Sequence, residues 1–530
     1  MNQSPKRISG TDLVVNTLLV IVGTFMAVLD TTIVDIALPK MMTPLKTDLY
    51  GIQWVVTAYM IAAAVALPML EWLEKITGLK AMYIAGIFLF TLSSYLCGIS
   101  TELYQMIIFR SIQGFAEALI MVSAQAILFS MFPEEERGFA MGLFGLGVSF
   151  APAIGPTLGG WLTEHISWNW IFFINVPVGT LLTVASIFLL KEVSMKREVL
   201  PFNFFSFFFI SVATVSTLVV LSKGQQYGWF SSNFIAFLTV VAVAGYLLYF
   251  LGEGFSKVKL LDLKIFRETE FTVAFLIFLF VLGFSMYALF YALPLYFEIL
   301  KGLSTFTTGI LLLPFAVSIA VFSVVAGAMS DRWSVGGTLF IAVVFYLGSV
   351  VFLLRHLDLY TPKWTASMEI VVMGAGMGLF FAPVTMLALR GREEKTILII
   401  SLLDYIRFIG GSFGTAIATN VIKGNTAFHY DEISSIQAQN YHFVKDSIES
   451  LAGNYLATSF LPEEALIKAY YSAGSLQSKL ALSYAFQDLF VWSGVFALVG
   501  LLPMVFLFKK WVYNRNGGAE ASNAHSAVTE

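Results

Sequence analysis

The strongest constraint on this chain is a series of apolar runs, each near twenty residues long. A helix needs about 20 consecutive apolar residues to cross a bilayer. Only 12% of the residues are charged, which is about half the share found in soluble proteins. The sequence therefore predicts an all-α polytopic membrane protein with fourteen transmembrane helices. We place these spans at residues 13–38, 53–72, 81–99, 105–130, 139–163, 170–190, 203–222, 233–252, 269–298, 306–329, 337–354, 366–389, 396–422 and 484–508.

The distribution of basic residues predicts how the chain crosses the membrane. Cytoplasmic loops carry an excess of Lys and Arg, counted over short loops. With an even number of spans both termini lie on one side, and that side holds 19 of the 31 Lys and Arg residues, against six in the short loops of the other side. Both termini are therefore predicted to be cytoplasmic. No small-residue cleavage site accompanies the first apolar run, so we expect that helix itself to direct insertion.

Composition argues against several kinds of function. The net charge of -3 makes nucleic acid an unexpected partner. Cys97 is the single cysteine, and the five histidines fall in predicted loops or in the tail, so neither a metal site nor a cofactor is expected. The sequence contains no P-loop for ATP-driven transport and no visible pairing of a nucleophile with a base. We therefore expect a protein that is not an enzyme.

We expect two six-helix bundles joined by a linker, because matching features at the ends of the second and tenth spans indicate a duplicated bundle. We assign residues 1–190 to the N-terminal bundle, 191–268 to a linker with two inserted transmembrane helices, and 269–515 to the C-terminal bundle. The C-terminal bundle includes residues 423–483, which we predict to be an extracytoplasmic helical hairpin; a disordered loop is the alternative. The polar tail at 516–530 is predicted to be disordered.

Two acids, Asp30 and Asp35, lie inside the first predicted span. A charge at the bilayer centre costs roughly 2.5–3.5 kcal/mol on insertion scales, and such residues commonly mark proton pathways. Five residues correspond to about 140° around a helix, so the two acids do not share a face. Asp30 lies midway along the span and is our candidate for the central cavity. Asp35 lies nearer the outer end, where simple solvation is the alternative to a cavity role.

The fourth predicted span carries Arg110, Gln113 and Glu117 on one stripe, because seven residues make about two helical turns. Arg keeps its charge at any physiological pH and can therefore tune a nearby carboxylate. We interpret Asp30, Arg110 and Glu117 as a proton-coupling site, with Gln113 as a candidate for the substrate cavity. A purely structural polar seam is the alternative.

The fifth predicted span has a small residue at every fourth position and prolines beside them. A ridge without side chains lets another helix approach closely, and proline bends a helix. We interpret this pattern as a hinge or seal between the two bundles; a general packing face is the alternative. The residues of the pattern are Gly147, Ala151, Gly155, Pro156, Gly159 and Gly160.

The thirteenth predicted span pairs an acid with a base. Asp404 and Arg407 are three residues apart, so they can bridge on one helix face. A structural seam and a functional pair fit this spacing equally well. We count both as substrate-cavity candidates, together with Asp35 and with Glu298 near the outer end of the ninth span.

Taken together, these stretches resemble the fourteen-helix drug:proton antiporters of the major facilitator superfamily, the EmrB/QacA type. Residues 29–39 resemble that family's first-helix motif, and 110–114 its fourth-helix motif, whose Arg is assigned to proton coupling. Residues 155–160 resemble its fifth-helix motif, which is tied to export. Residues 168–177 and 404–414 resemble its sixth and thirteenth helices. The resemblance implies the major facilitator fold.

The chain departs from the family pattern after the second span. There the family has the Asp and Arg of a cytoplasmic latch, and this chain has Lys75 and Ile76. The matching place after the tenth span keeps Asp331 and Arg332, and matching features in two halves indicate a duplicated bundle. Glu117 stands where the family has a small residue, and we interpret it as an extra acid for a cationic substrate or a second proton.

The resemblance implies a proton-coupled antiporter that exports hydrophobic or cationic toxic compounds by alternating access. Residues 484–490, which follow a long extracytoplasmic loop, are closer to the Gram-negative EmrB branch. That branch works with a periplasmic membrane-fusion adaptor and an outer-membrane channel, which implies a place in the bacterial inner membrane. The alternative is a dedicated exporter of one endogenous metabolite, lipid or siderophore. A receptor or scaffold on a transporter fold is a third reading.

Overall fold

A computed structural model of the chain describes residues 10–192, 201–457 and 461–505, apart from the side chains of residues 36, 49, 152, 153 and 156. Every regular element in this described part is a helix. Thirteen of its helices are long and apolar enough to cross a membrane. Arg137–His165 is a further helix of 29 residues, and its length of about 44 Å also suffices to cross a bilayer. The structure thus confirms the predicted all-α membrane protein with fourteen spans.

The helices of the first half are numbered as they follow one another in the chain. They are α1 (Gly10–Met41), α2 (Tyr50–Thr77), α3 (Leu79–Gly98), α4 (Leu103–Met131), α5 (Arg137–His165) and α6 (Trp170–Leu189). Two inserted helices follow, α7 (Phe204–Lys223) and α8 (Asn233–Phe255).

The second half continues the numbering. Its helices are α9 (Thr269–Leu300), α10 (Thr305–Arg332), α11 (Val335–His356), α12 (Lys363–Leu389), α13 (Thr396–Gln439), α14 (Tyr441–Ala457) and α15 (Pro462–Leu501). Within α9, the segments Phe278–Met286 and Tyr296–Leu300 are wound as π-helix. Such widened turns often mark functional sites in helices.

The two halves meet through equivalent pairs of helices. α5 of the first half packs against α10 and α12, and α13 of the second half packs against α2 and α4. If α9–α13 and the membrane part of α15 are equivalent to α1–α6, a two-fold rotation would exchange the contacts of α5 with the contacts of α13. That symmetry is the structural form of the duplication indicated by the sequence.

The inserted helices cover the seam between α2 and α13. α7 and α8 pack on each other, and α7 contacts both α2 and α13. Near one end of α7, the buried Lys223 ammonium donates to the Tyr50 carbonyl at 3.1 Å and to Gln53 Oε1 at 3.0 Å. Further along, the Thr214 hydroxyl lies 2.6 Å from the hydroxyl of Tyr405 on α13. The inserted pair is therefore tied to both halves.

α13 does not end at residue 422, where the sequence predicted it to end. It continues to Gln439, and α15 begins at Pro462 rather than at 484. Residues 423–457 and 461–483 are therefore almost wholly helical, and α14 packs back on α15 through Ile448 and Ala469. That this arm is extracytoplasmic stays a prediction. Residues 516–530, predicted to be disordered, lie outside the described residues.

Candidate coupling site

Asp30 of α1 is fully buried, and both of its carboxylate oxygens are hydrogen-bonded. Arg110 Nη1 donates to Oδ2 at 2.5 Å. Gln113 Nε2 donates to Oδ1 at 3.0 Å, and Asn175 Nδ2 donates to the same oxygen at 2.7 Å. A buried charge is tolerated only when it is paired and hydrogen-bonded. Asp30 meets that requirement with three side chains from α4 and α6.

Arg110 is held as firmly as its partner. Its Nε donates to the Val55 carbonyl of α2 at 3.3 Å, and its Nη1 also donates to Gln113 Oε1 at 2.9 Å. The guanidinium carbon lies 4.0 Å from the ring centre of Tyr59, a distance typical of a cation–π contact. The ion pair therefore connects α1, α2, α4 and α6 inside one half.

The close approach of α2 to α4 depends on a glycine. Gly114 follows Gln113, and a Cβ added there would overlap the backbone carbonyl of Tyr59. The sequence alone does not show which helix this glycine allows to approach α4. The structure identifies that helix as α2, which brings Tyr59 and the Val55 carbonyl over Arg110.

Three residues of this site were not predicted from the sequence, namely Asn175, Ser94 and Tyr59. Asn175 lies in the family-like stretch 168–177, which was noted without a role for any residue. Asn175 also donates to Ser94 Oγ at 3.1 Å, so α3 supports the amide that contacts Asp30. Tyr59 carried no signal beyond being an aromatic residue in an apolar span. A buried Asn in a membrane helix was the signal that could have found Asn175.

The expectation for the two acids of α1 is reversed in the structure. We expected Asp30 to face the central cavity, and it is closed to solvent. Asp35, which we placed nearer the outer end with solvation as its alternative, is the exposed acid of the pair. The 140° between them explains the result, because Asp30 lies on the face of α1 that packs against α4 and Asp35 lies on a different face. Asp35 is therefore the more accessible of the two carboxylates.

Glu117 does not join the Asp30–Arg110 pair directly. It is buried, and its Oε2 has no hydrogen-bond partner. Its strongest charged neighbour is Arg407 of α13, ahead of Arg110 and Asp30. The predicted three-residue site is thus divided: Asp30 and Arg110 bind each other, and Glu117 faces the second half.

Asp404 and Arg407 form the bridge that their spacing allowed. Arg407 Nη2 lies 3.1 Å from Asp404 Oδ1, and both side chains are buried. Arg407 also interacts electrostatically with Tyr287 of α9 and with Glu117. Glu298 is half-buried in the last π-helical segment of α9, and it is not among the charged neighbours of Glu117 or Arg407. The second-half candidates therefore do not gather into one group.

The small-residue ridge of α5 lies elsewhere than we expected. A Cβ at Gly155 would overlap Thr32 Oγ1, and one at Gly159 would lie 3.2 Å from the Ile33 carbonyl oxygen, so the ridge packs on α1. Ridge and partner belong to the same half, so these glycines do not pack across the two halves, and their role as a hinge stays a prediction. Gly160 has open space around it. The side chain of Pro156 lies outside the described part.

Another face of α5 makes the seal between the halves. A Cβ at Gly138 would overlap the Gly327 carbonyl region of α10, and Gly142 approaches the Ser323 backbone in the same way. The Ser323 hydroxyl donates to the Gly142 carbonyl at 3.1 Å. The glycines at 138, 142 and 145 were overlooked because they form a second, less regular series in the same span.

Asp331 closes one end of this seal, which we call the latch end. Its Oδ1 accepts from the Gly138 N–H at 2.8 Å, and its Oδ2 accepts from the Phe139 N–H at 2.7 Å. These N–H groups belong to the first turn of α5, where helix donors lack internal partners and the helix dipole favours an anion. Arg137 forms an ion pair with Glu393 of the second half beside it. Arg332, the other predicted latch residue, is exposed.

The symmetry-related latch lacks this arrangement. Lys75, at the position equivalent to the family's Asp, pairs instead with Glu71 at 2.7 Å within α2. α13, the counterpart of α5, has no side-chain cap from its N-cap residue, Lys395. Lys395 binds Asp262 at 2.8 Å, and this hydrogen bond holds the pKa of Asp262 below its ordinary value. In the described part of the chain, a carboxylate latch is therefore present at one of the two symmetry-related positions and absent from the other.

Two related helical halves that meet around buried charges are the architecture of a membrane transporter. The profile of the Major Facilitator Superfamily matches residues 20–415. The chain belongs to the major facilitator superfamily, whose members are transporters and not enzymes. Among the described residues, no group of three or more His, Cys, Asp or Glu side chains could hold a metal ion.

Relatives cover most of the chain at modest identity. The multidrug transporter protein MdtP of Bacillus subtilis is 28% identical over 502 residues, which cover 92% of this chain and 91% of that protein. The multidrug export protein EmrB of Escherichia coli is 28% identical over 440 residues, covering 82% and 84%. The fatty acid resistance protein FarB of Neisseria gonorrhoeae is 27% identical over 413 residues, covering 77% and 80%. These matches confirm the predicted family.

Proposed function

We propose that the protein is a proton-coupled antiporter that exports hydrophobic or cationic toxic compounds from the cytoplasm or the inner leaflet. The observation that carries this proposal is the buried pair of Asp30 and Arg110. A carboxylate whose charge is balanced by a neighbouring Arg changes its protonation when that contact changes. Such a pair can therefore exchange a proton for substrate as the two halves rearrange.

The closed latch end supports an alternating-access cycle. With both termini cytoplasmic, as the Lys and Arg distribution predicts, the latch end faces the cytoplasm. Asp331 and Arg137 hold that end shut, while Asp35 is exposed. These contacts support a conformation that is closed at the cytoplasmic end in the proposed cycle. In the proposed cycle, a proton enters from the outside toward Asp30 and Glu117, substrate leaves, and the latch then opens to release the proton inward.

The names of the relatives bear on the substrates and partners. MdtP and EmrB are named for multidrug transport, and FarB for resistance to fatty acids. We infer a similar range of apolar compounds for this chain, in the inner membrane of a bacterium. A periplasmic membrane-fusion adaptor and an outer-membrane channel are the partners we propose, by analogy with the EmrB branch.

A dedicated lipid-like substrate is the second candidate function. It is favoured by the relationship to FarB, whose name refers to a single class of compound. Growth and accumulation assays across chemically unrelated toxic compounds separate the two functions. Resistance to several unrelated compounds supports multidrug export. Resistance confined to fatty acids would instead identify a dedicated exporter, and resistance to none would contradict both.

A further inference from the structure

Three buried charged side chains lie on α4 and α13, two helices that pack against each other. Glu117 comes from α4, and Asp404 and Arg407 come from α13. Their exposed fractions are 4%, 3% and 7%. Each has one polar atom without a hydrogen-bond partner, namely Glu117 Oε2, Asp404 Oδ2 and Arg407 Nε. A buried polar atom left unpaired costs free energy, so this group differs sharply from the satisfied Asp30 site.

The charges in this group do not balance. Two carboxylates share one guanidinium, because Arg110 is already occupied by Asp30. The titratable groups facing Glu117 are Arg407, Tyr59, Arg110, Asp30 and Tyr287. Asp404 is faced by Arg407 and Tyr287, and Arg407 is faced by Tyr287 as well. The neighbours therefore supply no second free cation, and one negative charge is left over.

An excess buried charge is expensive in a low-dielectric interior, and a carboxyl group there normally becomes neutral. When two carboxylates occupy one site, a single proton between them removes the excess. We propose that Glu117 and Asp404 hold one proton between them around Arg407, forming a second proton site distinct from Asp30. The proposed shared proton adds Asp404 and Arg407 to the residues that couple transport. It rests on the proposed function only in assuming that this proton is used in transport.

The position of this site links the proton to the conformation. Glu117 belongs to the first half and Arg407 to the second, so the two separate when the seam between α4 and α13 opens. Loading forms one O–H bond with a proton from water on one side, and release returns that proton to water on the other. The shared proton is present while the halves are in contact here. Opening the seam exposes the acids to water and lets the proton go.

Infrared spectroscopy of the purified full-length protein in lipid at neutral pH tests the shared proton directly. A protonated carboxyl group has a C=O band that is separate from carboxylate bands and shifts in D₂O. Wild type should show this band. Glu117→Gln and Asp404→Asn should each remove it, because each leaves one carboxylate paired with one guanidinium. Glu449→Gln, which removes an exposed acid on α14, should leave it unchanged.

Arg407→Gln provides an opposite change, since removing the cation leaves two acids that both become protonated. The band should then increase. If the band persisted in Glu117→Gln or in Asp404→Asn, the proposal of a proton shared by the two acids would be wrong. The absence of the band from wild type would also contradict it. If Arg407→Gln does not fold, the two acid variants decide the matter alone. A band that behaves as predicted, in a protein that moves no protons in vesicles, would contradict the proposed antiport and leave the shared proton standing.

Discussion

Arg110 and Asp30 form an ion pair of 2.5 Å that is sealed from solvent inside the first half of the molecule. The pair links α4 to α1, and Gln113 and Asn175 complete its hydrogen bonds. A satisfied, neutral pair of this kind does not exchange protons freely with a cavity. Its protonation can change only when the helices around it move, which makes it suited to reporting the conformation of that half.

Asp30→Asn is expected to abolish proton-coupled transport and also to destabilise the protein. The variant leaves the buried Arg110 without its counter-charge, and breaking a buried pair costs about 3–5 kcal/mol. Thermal unfolding in detergent should show a clear fall in Tm. Asp35→Asn is the matched control, because Asp35 is an exposed acid on the same helix. Its Tm should equal that of wild type.

Removing both charges separates stability from coupling. In the double variant Asp30→Asn with Arg110→Gln no unpaired charge is left, so much of the lost Tm should return. Transport should stay absent, because the group that senses the proton is gone. A double variant no more stable than Asp30→Asn alone would show that the ion pair does not account for the loss.

Asp331→Asn is expected to loosen the latch end. The change removes the negative charge that accepts from the Gly138 and Phe139 N–H groups, and charge-assisted hydrogen bonds contribute about 1.5–3 kcal/mol. The measurement is cross-linking of Arg137→Cys with Glu393→Cys in a protein whose Cys97 is replaced by Ser. The yield should fall when Asp331→Asn is added, and an unchanged yield would contradict the role of Asp331.

The missing latch can be supplied in the same assay. Lys75→Asp places a carboxylate at the position equivalent to Asp331, near the first turn of α13. We expect the cross-linking yield to rise, since the closed latch end would then be held at both symmetry-related places. Lys75→Asn, which removes the cation without adding an anion, is the control and should not raise it.

Gly114→Ala is expected to disturb the site more than any nearby glycine change of the same size. A Cβ there overlaps the backbone of Tyr59, which cannot shift as a flexible side chain can. Overpacking of this kind costs about 1–3 kcal/mol, so both Tm and transport should fall. Gly160→Ala is the control, because its surroundings are open. Equal Tm values for the two variants would contradict the close contact.

Tyr405→Phe tests the attachment of the inserted helices. The Tyr405 hydroxyl lies 2.6 Å from the Thr214 hydroxyl on α7 and 3.2 Å from the Tyr246 hydroxyl on α8. Loss of a buried hydrogen bond costs about 1 kcal/mol, so a small fall in Tm is expected. Thr214→Val should have a similar effect, and the double variant should cost less than the sum. Full additivity would show that the two hydroxyl groups are not coupled.

The sequence predicted the fold well because its signal is local. A run of twenty apolar residues specifies a membrane helix without reference to its neighbours, and the fourteen spans were found in this way. The thirteenth span was predicted to end at residue 422 and a separate helical hairpin to follow, whereas one helix runs on to Gln439, because hydropathy marks the end of a membrane span and not the end of the helix.

The site could be predicted only in part because pairing depends on which helices face each other. Spacing placed Arg110 and Gln113 on one stripe, and the structure turns that stripe toward Asp30. Spacing could not reveal that Glu117, one turn further on, faces Arg407 of the other half. The packing partner of the small-residue ridge of α5 was not predicted for the same reason. Small residues indicate that a helix packs closely, but not which helix it is.

Proton movement in inverted membrane vesicles tests the central claim most directly. Respiring vesicles that contain the protein hold a proton gradient, read by a pH-sensitive fluorophore, and ethidium is added as a hydrophobic cationic probe. Wild-type vesicles should lose part of the gradient on addition, beyond the loss in vesicles without the protein, and Asp30→Asn vesicles with equal protein should not. A response in Asp30→Asn equal to that of wild type would contradict coupling through the Asp30–Arg110 pair.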